Sequence, residues 1–152
     1  LDTIKRFSNK IKSIKNNRIS NDFLIIARLE SLIVGKGIKD SLKRAEAYSK
    51  AGADMILIHS KDKDPKKIFQ FAKIFKKSKF FKPLVAVPST YSKVKEQDLI
   101  RNGFKLVIYA NHMLRSSYLS MLNTAEKILK FQRSKESEKN MISIKKIIEL
   151  IG

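Results

Sequence analysis

Four short apolar runs, each separated from the next by a stretch of helical period, constrain this chain more than any other feature. Phe23–Arg28, Met55–Ile58, Leu84–Val87 and Lys105–Tyr109 are brief and rich in β-branched residues, the mark of strands buried on both faces. Between them the period changes. Ile38 to Ala51 places Ile38, Leu42, Ala45 and Tyr48 on one stripe, with Gly52 just past its end as a C-terminal cap. Asp64-Pro65 supplies an N-cap and a first-turn proline for a helix with Ile68, Phe71 and Phe75 facing inward. A helix over Val94–Arg101 ends near Asn102-Gly103, and a long one runs from about Met113 to Phe131. Before the first strand, Thr3 to Lys15 carries Ile4, Phe7, Ile11 and Ile14 at near-helical spacing. After the long helix, the polar stretch 133–140 reads as a linker to a last short helix marked by Ile144, Ile147, Ile148 and Ile151.

Strand alternating with helix means right-handed βαβ units and a parallel sheet. The polar residues then fall in one place. Arg28 and Glu30 end the first strand, His59 and Ser60 the second, Ser89 and Thr90 the third, Asn111 and His112 the fourth. In a (β/α)8 barrel the active site is built from those C-terminal strand ends and the loops that follow. Four such units predict an α/β fold that is the C-terminal half of a barrel, with residues 1–152 as one partial domain. The first residue is Leu rather than Met, which fits the expectation that the N-terminal half lies upstream.

Composition narrows the classes. No apolar run approaches the roughly 20 residues of a membrane span, and Lys5, Arg6, Lys10 and Lys12 interrupt any secretory leader. Without cysteine there is neither a disulfide framework nor a thiolate metal site. These features point to a soluble cytoplasmic protein. The net charge of +19 invites comparison with a basic nucleic-acid-binding module. The lysines, however, sit between apolar anchors on nearly every helix, as solvent-facing residues do, so nucleic acid is disfavoured and a small anionic ligand is the better partner.

From Ile26-Ala27-Arg28-Leu29-Glu30 onward, the chain resembles the phosphoenolpyruvate mutase/isocitrate lyase superfamily. The resemblance continues through Gly35-Lys36-Gly37, Arg44-Ala45-Glu46-Ala47-Tyr48 and Ala51-Gly52-Ala53-Asp54. Ile58-His59-Ser60-Lys61, Val87-Pro88-Ser89-Thr90-Tyr91 and Ala110-Asn111-His112 narrow it to the mutase and phosphonopyruvate hydrolase branch. A carbon–carbon lyase is disfavoured, because lyase relatives usually carry an acidic residue where His59 stands. The resemblance implies an enzyme that interconverts phosphoenolpyruvate and phosphonopyruvate, or one that hydrolyses the latter. It also implies Mg²⁺ as cofactor, homo-oligomers in which the last long helix packs on a neighbour, and phosphoryl oxygens held by Arg28 and His59. The branch's gating loop, its aspartate nucleophile and its metal-site aspartates are absent from these residues, so no catalytic nucleophile and no metal ligand is expected here.

On residue chemistry alone, Arg28 is either half of an ion pair with Glu30 or Glu46 or a planar fork for phosphonate oxygens. His59 is either a satisfied structural histidine or a donor to the same anion. Glu30, Ser60 and Asn111 are weaker candidates, as are Ser89, Thr90 and His112. Turn formation and capping account for them equally well, and Asn111 stands where a helix N-cap belongs. Phe69, Phe71, Phe75, Phe80 and Phe81 are read as core rather than as a stacking platform.

Overall fold

A computed structural model describes all 152 residues. The chain divides into two compact units, Leu1–Ala110 and Asn111–Gly152. The first holds α1 (Ile4–Asn17), β1 (Ile26–Leu29), α2 (Gly37–Lys50), β2 (Met55–Ile58), α3 (Lys66–Phe75), β3 (Leu84–Ala86), α4 (Glu96–Arg101) and β4 (Phe104–Val107). The second holds α5 (His112–Phe131), α6 (Lys135–Glu138) and α7 (Ile144–Ile151). Residues 133–140, expected as a linker, thus contain the single-turn helix α6. No helix is long and apolar enough to cross a membrane.

The strands pair in sequence order, β1-β2-β3-β4, all parallel. Ala27 and Leu29 of β1, Ile56 and Ile58 of β2, and Leu84 and Ala86 of β3 turn one face of the sheet toward the helices. There they meet Ala45 and Tyr48 of α2, and Ile68, Phe71 and Phe75 of α3. Phe71 and Phe75 stack at 5.5 Å, and Phe7 of α1 lies 4.6 Å from Tyr48. Sequential parallel pairing follows from the crossover helices, each of which returns the chain to the same end of the sheet.

Four expectations need correction. Phe23 and Leu24 are exposed and lie outside β1, because a turn at residues 20–23 and a bond from the Ile25 N–H to the Asp54 carboxylate (2.9 Å) delay the strand until Ile26. The outer strands are not buried on both faces: Ile26 and Arg28 of β1 and Lys105 and Leu106 of β4 are exposed, because β1 and β4 are the edge strands of this sheet. Ile14 is exposed rather than part of the inward stripe of α1. The α2 stripe stands as read, and Gly52 beyond it takes φ +109, where an added Cβ would meet the Lys15 side chain at 3.0 Å. Helix α3 starts one residue later than read: Pro65 takes the N-cap position and makes no side-chain capping bond, while Asp64 before it accepts the Lys66 N–H at 2.9 Å.

Asp54 joins α1, the first strand's entry and β2. It accepts from Lys15 Nζ at 3.1 Å, Arg18 Nη1 at 3.2 Å and the Ile25 N–H. Burial alone would raise its carboxyl, but the Ile25 N–H and the Lys15 and Arg18 cations outweigh this and hold it below the ordinary carboxylate range. A depressed native pKa contributes stability that is present above the unfolded value of about 4 and is lost as pH falls through the native one. Urea unfolding of wild type and Asp54→Asn should therefore differ at neutral pH and converge in acid. Equal midpoint differences at pH 7 and below pH 3 would contradict this role.

Candidate anion site at the strand ends

Register β1–β2 sets Arg28 beside Leu57 and Leu29 beside Ile58, so Glu30 and His59 leave the sheet together. The His59 N–H donates to the Leu29 carbonyl at 3.3 Å and fixes that level. Side chains then converge. Arg28 Nε donates to Glu30 Oε1, Arg28 Nη2 lies in hydrogen-bond contact with His59 Nδ1, and His59 Nδ1 is 3.4 Å from Glu30 Oε2. A single Nδ1 cannot accept from Arg28 and donate to Glu30 at once, so the ring's tautomer selects one of the two contacts. The Arg28 side chain remains half exposed, with Glu30 and His59 more covered. Charged hydrogen bonds of this kind hold a guanidinium plane and an imidazole ring against each other at the C-terminal edge of the sheet. The ion-pair reading of Arg28 is met by Glu30; Glu46 instead accepts from Ser78 Oγ at 2.8 Å.

The other expected residues divide. Ser60 is buried, its hydroxyl accepting the Asp62 N–H at 3.1 Å and its carbonyl accepting from Thr90 Oγ1 at 2.9 Å. Ser60 and Thr90 thus tie the loops after β2 and β3 to each other. Asn111 occupies the N-cap position of α5, yet its side chain makes no capping bond; it and His112 open the second unit. Among the aromatics, Phe71 and Phe75 are fully buried, and Phe80 is half-buried beneath the Lys50 ammonium, 4.2 Å from its ring centroid.

A buried network beside the cluster went unassigned in the sequence. Arg44, 6% exposed, donates through Nε to Asp40 at 2.8 Å and through Nη1 to the Tyr48 hydroxyl at 2.8 Å and the Asp2 carbonyl at 2.9 Å. Ser31 Oγ, fully buried next to Glu30, also donates to Asp40 at 2.7 Å. Burial would raise the Asp40 carboxyl, but Ser31 and Arg44 together hold it low. A cavity of about 120 Å³ is lined by Arg28 and Glu30 on one side and Arg44 and Tyr48 on the other. The spacing Asp40, Arg44, Tyr48, four residues apart on α2, was the available signal.

Oxygen-ligated cations such as Mg²⁺ need several carboxylate or carbonyl ligands around one point. No three His, Cys, Asp or Glu side chains gather in that way, and the one carboxylate at the cluster, Glu30, is engaged by two cationic or donor groups. These residues do not fit a Mg²⁺ site by themselves.

Comparison with known proteins gives the setting. Residues 1–129 match the family model described as phosphoenolpyruvate phosphomutase. The chain is 37% identical over 152 residues to a phosphoenolpyruvate phosphomutase of Tetrahymena pyriformis, covering all of this chain and 50% of that protein. It is 37% identical over 150 residues to a phosphonopyruvate hydrolase of Variovorax sp. (strain Pal2), covering 98% of this chain and 51% of the other. The crystal structure of a phosphoenolpyruvate phosphomutase from Streptomyces platensis subsp. rosaceus superimposes with a TM-score of 0.93 at 35% identity, over all of this chain and 52% of that one. The chain spans about half the length of the curated relatives it matches. The chain belongs to the phosphoenolpyruvate phosphomutase family and folds as the C-terminal half of its (β/α)8 barrel.

Proposed function

We propose that the whole barrel to which this sequence contributes interconverts phosphoenolpyruvate and phosphonopyruvate, and that Arg28 and His59 hold the phosphoryl oxygens during transfer. The observation that carries this reading is the contact between the Arg28 and His59 side chains, brought together from successive strand ends. Phosphoryl transfer asks a protein mainly for positioning and for charge placed where the moving oxygens will be. Arg28 offers a planar fork, and His59 offers one N–H if neutral and a charge if protonated. Glu30 fixes the planes of both, and the Ser31–Asp40–Arg44 network anchors the chain next to Glu30. Mg²⁺, present with oxalate in a solved phosphonopyruvate hydrolase of 37% identity, would be held by carboxylates outside this sequence. That activity belongs to phosphonate biosynthesis, and a cysteine-free chain fits a cytoplasmic setting.

Lysines are exposed on α1, α2 and α3 alike, which supports a solvated basic surface that attracts small anions rather than one nucleic-acid-binding face. Helix α5 buries none of its residues and exposes Met113, Leu114, Tyr118 and Leu119, which supports association of the whole protein through this helix.

Phosphonopyruvate hydrolysis is the second reading, because identity to that relative equals identity to the mutase. Phosphorus NMR of the complete barrel separates them. With phosphonopyruvate and Mg²⁺, the mutase reading expects a growing phosphoenolpyruvate signal without inorganic phosphate. Phosphate as the sole phosphorus product would assign the hydrolase.

A further inference from the structure

The turn after β1 is held by more contacts than a connection needs. The Glu30 carbonyl accepts from the Val34 N–H at 3.1 Å, and the Ser31 carbonyl accepts from the Lys36 N–H at 2.8 Å. These main-chain bonds already close the turn, and Ala45 and Tyr48 already pack α2 on the sheet. Yet Ser31 is also fully buried, and its hydroxyl donates to Asp40 Oδ2 at 2.7 Å. Asp40 stands in the first turn of α2, where a carboxylate ordinarily serves the helix N-terminus. Here one oxygen, Oδ2, accepts both from Ser31, nine residues back, and from Arg44 Nε at 2.8 Å. Arg44 in turn donates to the Tyr48 hydroxyl at 2.8 Å. A buried guanidinium is costly to leave unpaired, so Asp40 keeps its place and the turn is fixed to it.

Glu30 is the next residue along. Its main chain is set by the turn, while its carboxylate accepts from Arg28 Nε and lies 3.4 Å from His59 Nδ1. One line of contacts therefore runs from Arg44 through Asp40, Ser31 and Glu30 to Arg28 and His59. Every side chain in it before His59 belongs to a single βα unit, residues 28–48. We propose that Ser31 and Asp40 are positioning residues of the strand-end site, acting on Arg28 and His59 through Glu30. The effect on turnover rests on the reading of Arg28 and His59 as holders of the phosphoryl oxygens; the effect on the placement of the two side chains does not.

Ser31 is fully buried and Asp40 is turned to Ser31 and Arg44, so their influence on a bound anion is indirect. A misplacement of about 1 Å in a group that grips the reacting atoms can cost about a hundredfold in rate. Loss of the lock leaves Arg28 and His59 in place as residues but removes what holds Glu30 between them.

A double-mutant cycle in the complete barrel, read as kcat/KM for phosphonopyruvate, tests the inference. Ser31→Ala removes the link to Asp40 and leaves the Asp40–Arg44 pair intact, so the far-ultraviolet circular dichroism spectrum should not change. Ser31→Cys, of nearly the same size but a weak donor, gives the same comparison if the alanine variant does not fold. Either should lower kcat/KM about tenfold or more, and neither should lower it further once Glu30→Ala has removed the brace. The His59 ring-nitrogen NMR signals, identified by their absence in His59→Gln, should move in Ser31→Ala whatever the activity. Unmoved ring signals overturn the inference, and so do falls from Ser31→Ala and Glu30→Ala that simply multiply. An unchanged kcat/KM for Ser31→Ala, in a barrel where Arg28→Lys lowers it, overturns it equally. Arg28→Lys without effect, alongside moved ring signals, strikes the phosphoryl reading and leaves the positioning in place.

Discussion

Incubated with Mg²⁺ and phosphonopyruvate, the 152-residue chain is expected to form no phosphoenolpyruvate above the buffer blank by phosphorus NMR. The reason lies in what its side chains are already doing. Moving a phosphoryl group through a covalent intermediate needs an unengaged nucleophile at the site. Glu30 is bound to Arg28 and sits 3.4 Å from His59. Asp40 is taken by Ser31 and Arg44, and the Ser60 hydroxyl is buried in its own loop. No carboxylate cluster gathers a divalent cation, and nothing seals the half-exposed Arg28 from water. What remains can offer at most an anion pocket, which would bind without lowering the barrier of the chemical step. Detectable conversion would mean that a working nucleophile is present among these residues.

Much of the fold was legible because its signals are local. The change from short apolar runs to helical stripes located all four strands and the main helices, and Gly52 and the Tyr48 stripe lie where their chemistry placed them. The misreadings came from tertiary context. Phe23 and Leu24 read as strand by composition, yet Asp54, far along the chain, takes the Ile25 N–H and sets where pairing starts. The expectation of strands buried on both faces suits the central β2 and β3 but not β1 or β4, whose edge positions no local pattern announces. At the site, Arg28 and His59 were legible from their strand-end positions, and their meeting follows from parallel register. Glu30 as the group between them was a weaker reading, because a carboxylate two residues from an arginine is common on any surface. Ser60 and Thr90 show the converse, residues at the right level whose bonds knit one loop to the next. Arg44 was visible within its motif, but its burial and its four-residue spacing to Asp40 and Tyr48 gained meaning only once α2 was seen packed beside Glu30.

The central claim is that Arg28 grips the phosphoryl group, and one substitution isolates it. Arg28→Lys keeps a positive charge at the end of β1 but replaces a rigid fork by a point charge on a flexible stem. The Nε bond to Glu30 and the Nη2 contact with His59 cannot both be reproduced by a single ammonium, so the ring and the carboxylate lose their shared brace. If the grip strengthens as charge moves onto the transferring oxygens, the loss falls on turnover as well as on binding. Removing one donor aimed at developing charge commonly costs about a hundredfold or more in rate. Folding should be little changed, because lysine keeps a positive charge beside Glu30. The deciding measurement is kcat/KM for phosphonopyruvate in the complete barrel, wild type against Arg28→Lys, with thermal unfolding recorded for both. The account predicts a fall of about a hundredfold or more with kcat reduced and the unfolding midpoint unmoved; an unchanged kcat/KM would remove Arg28 from the active site.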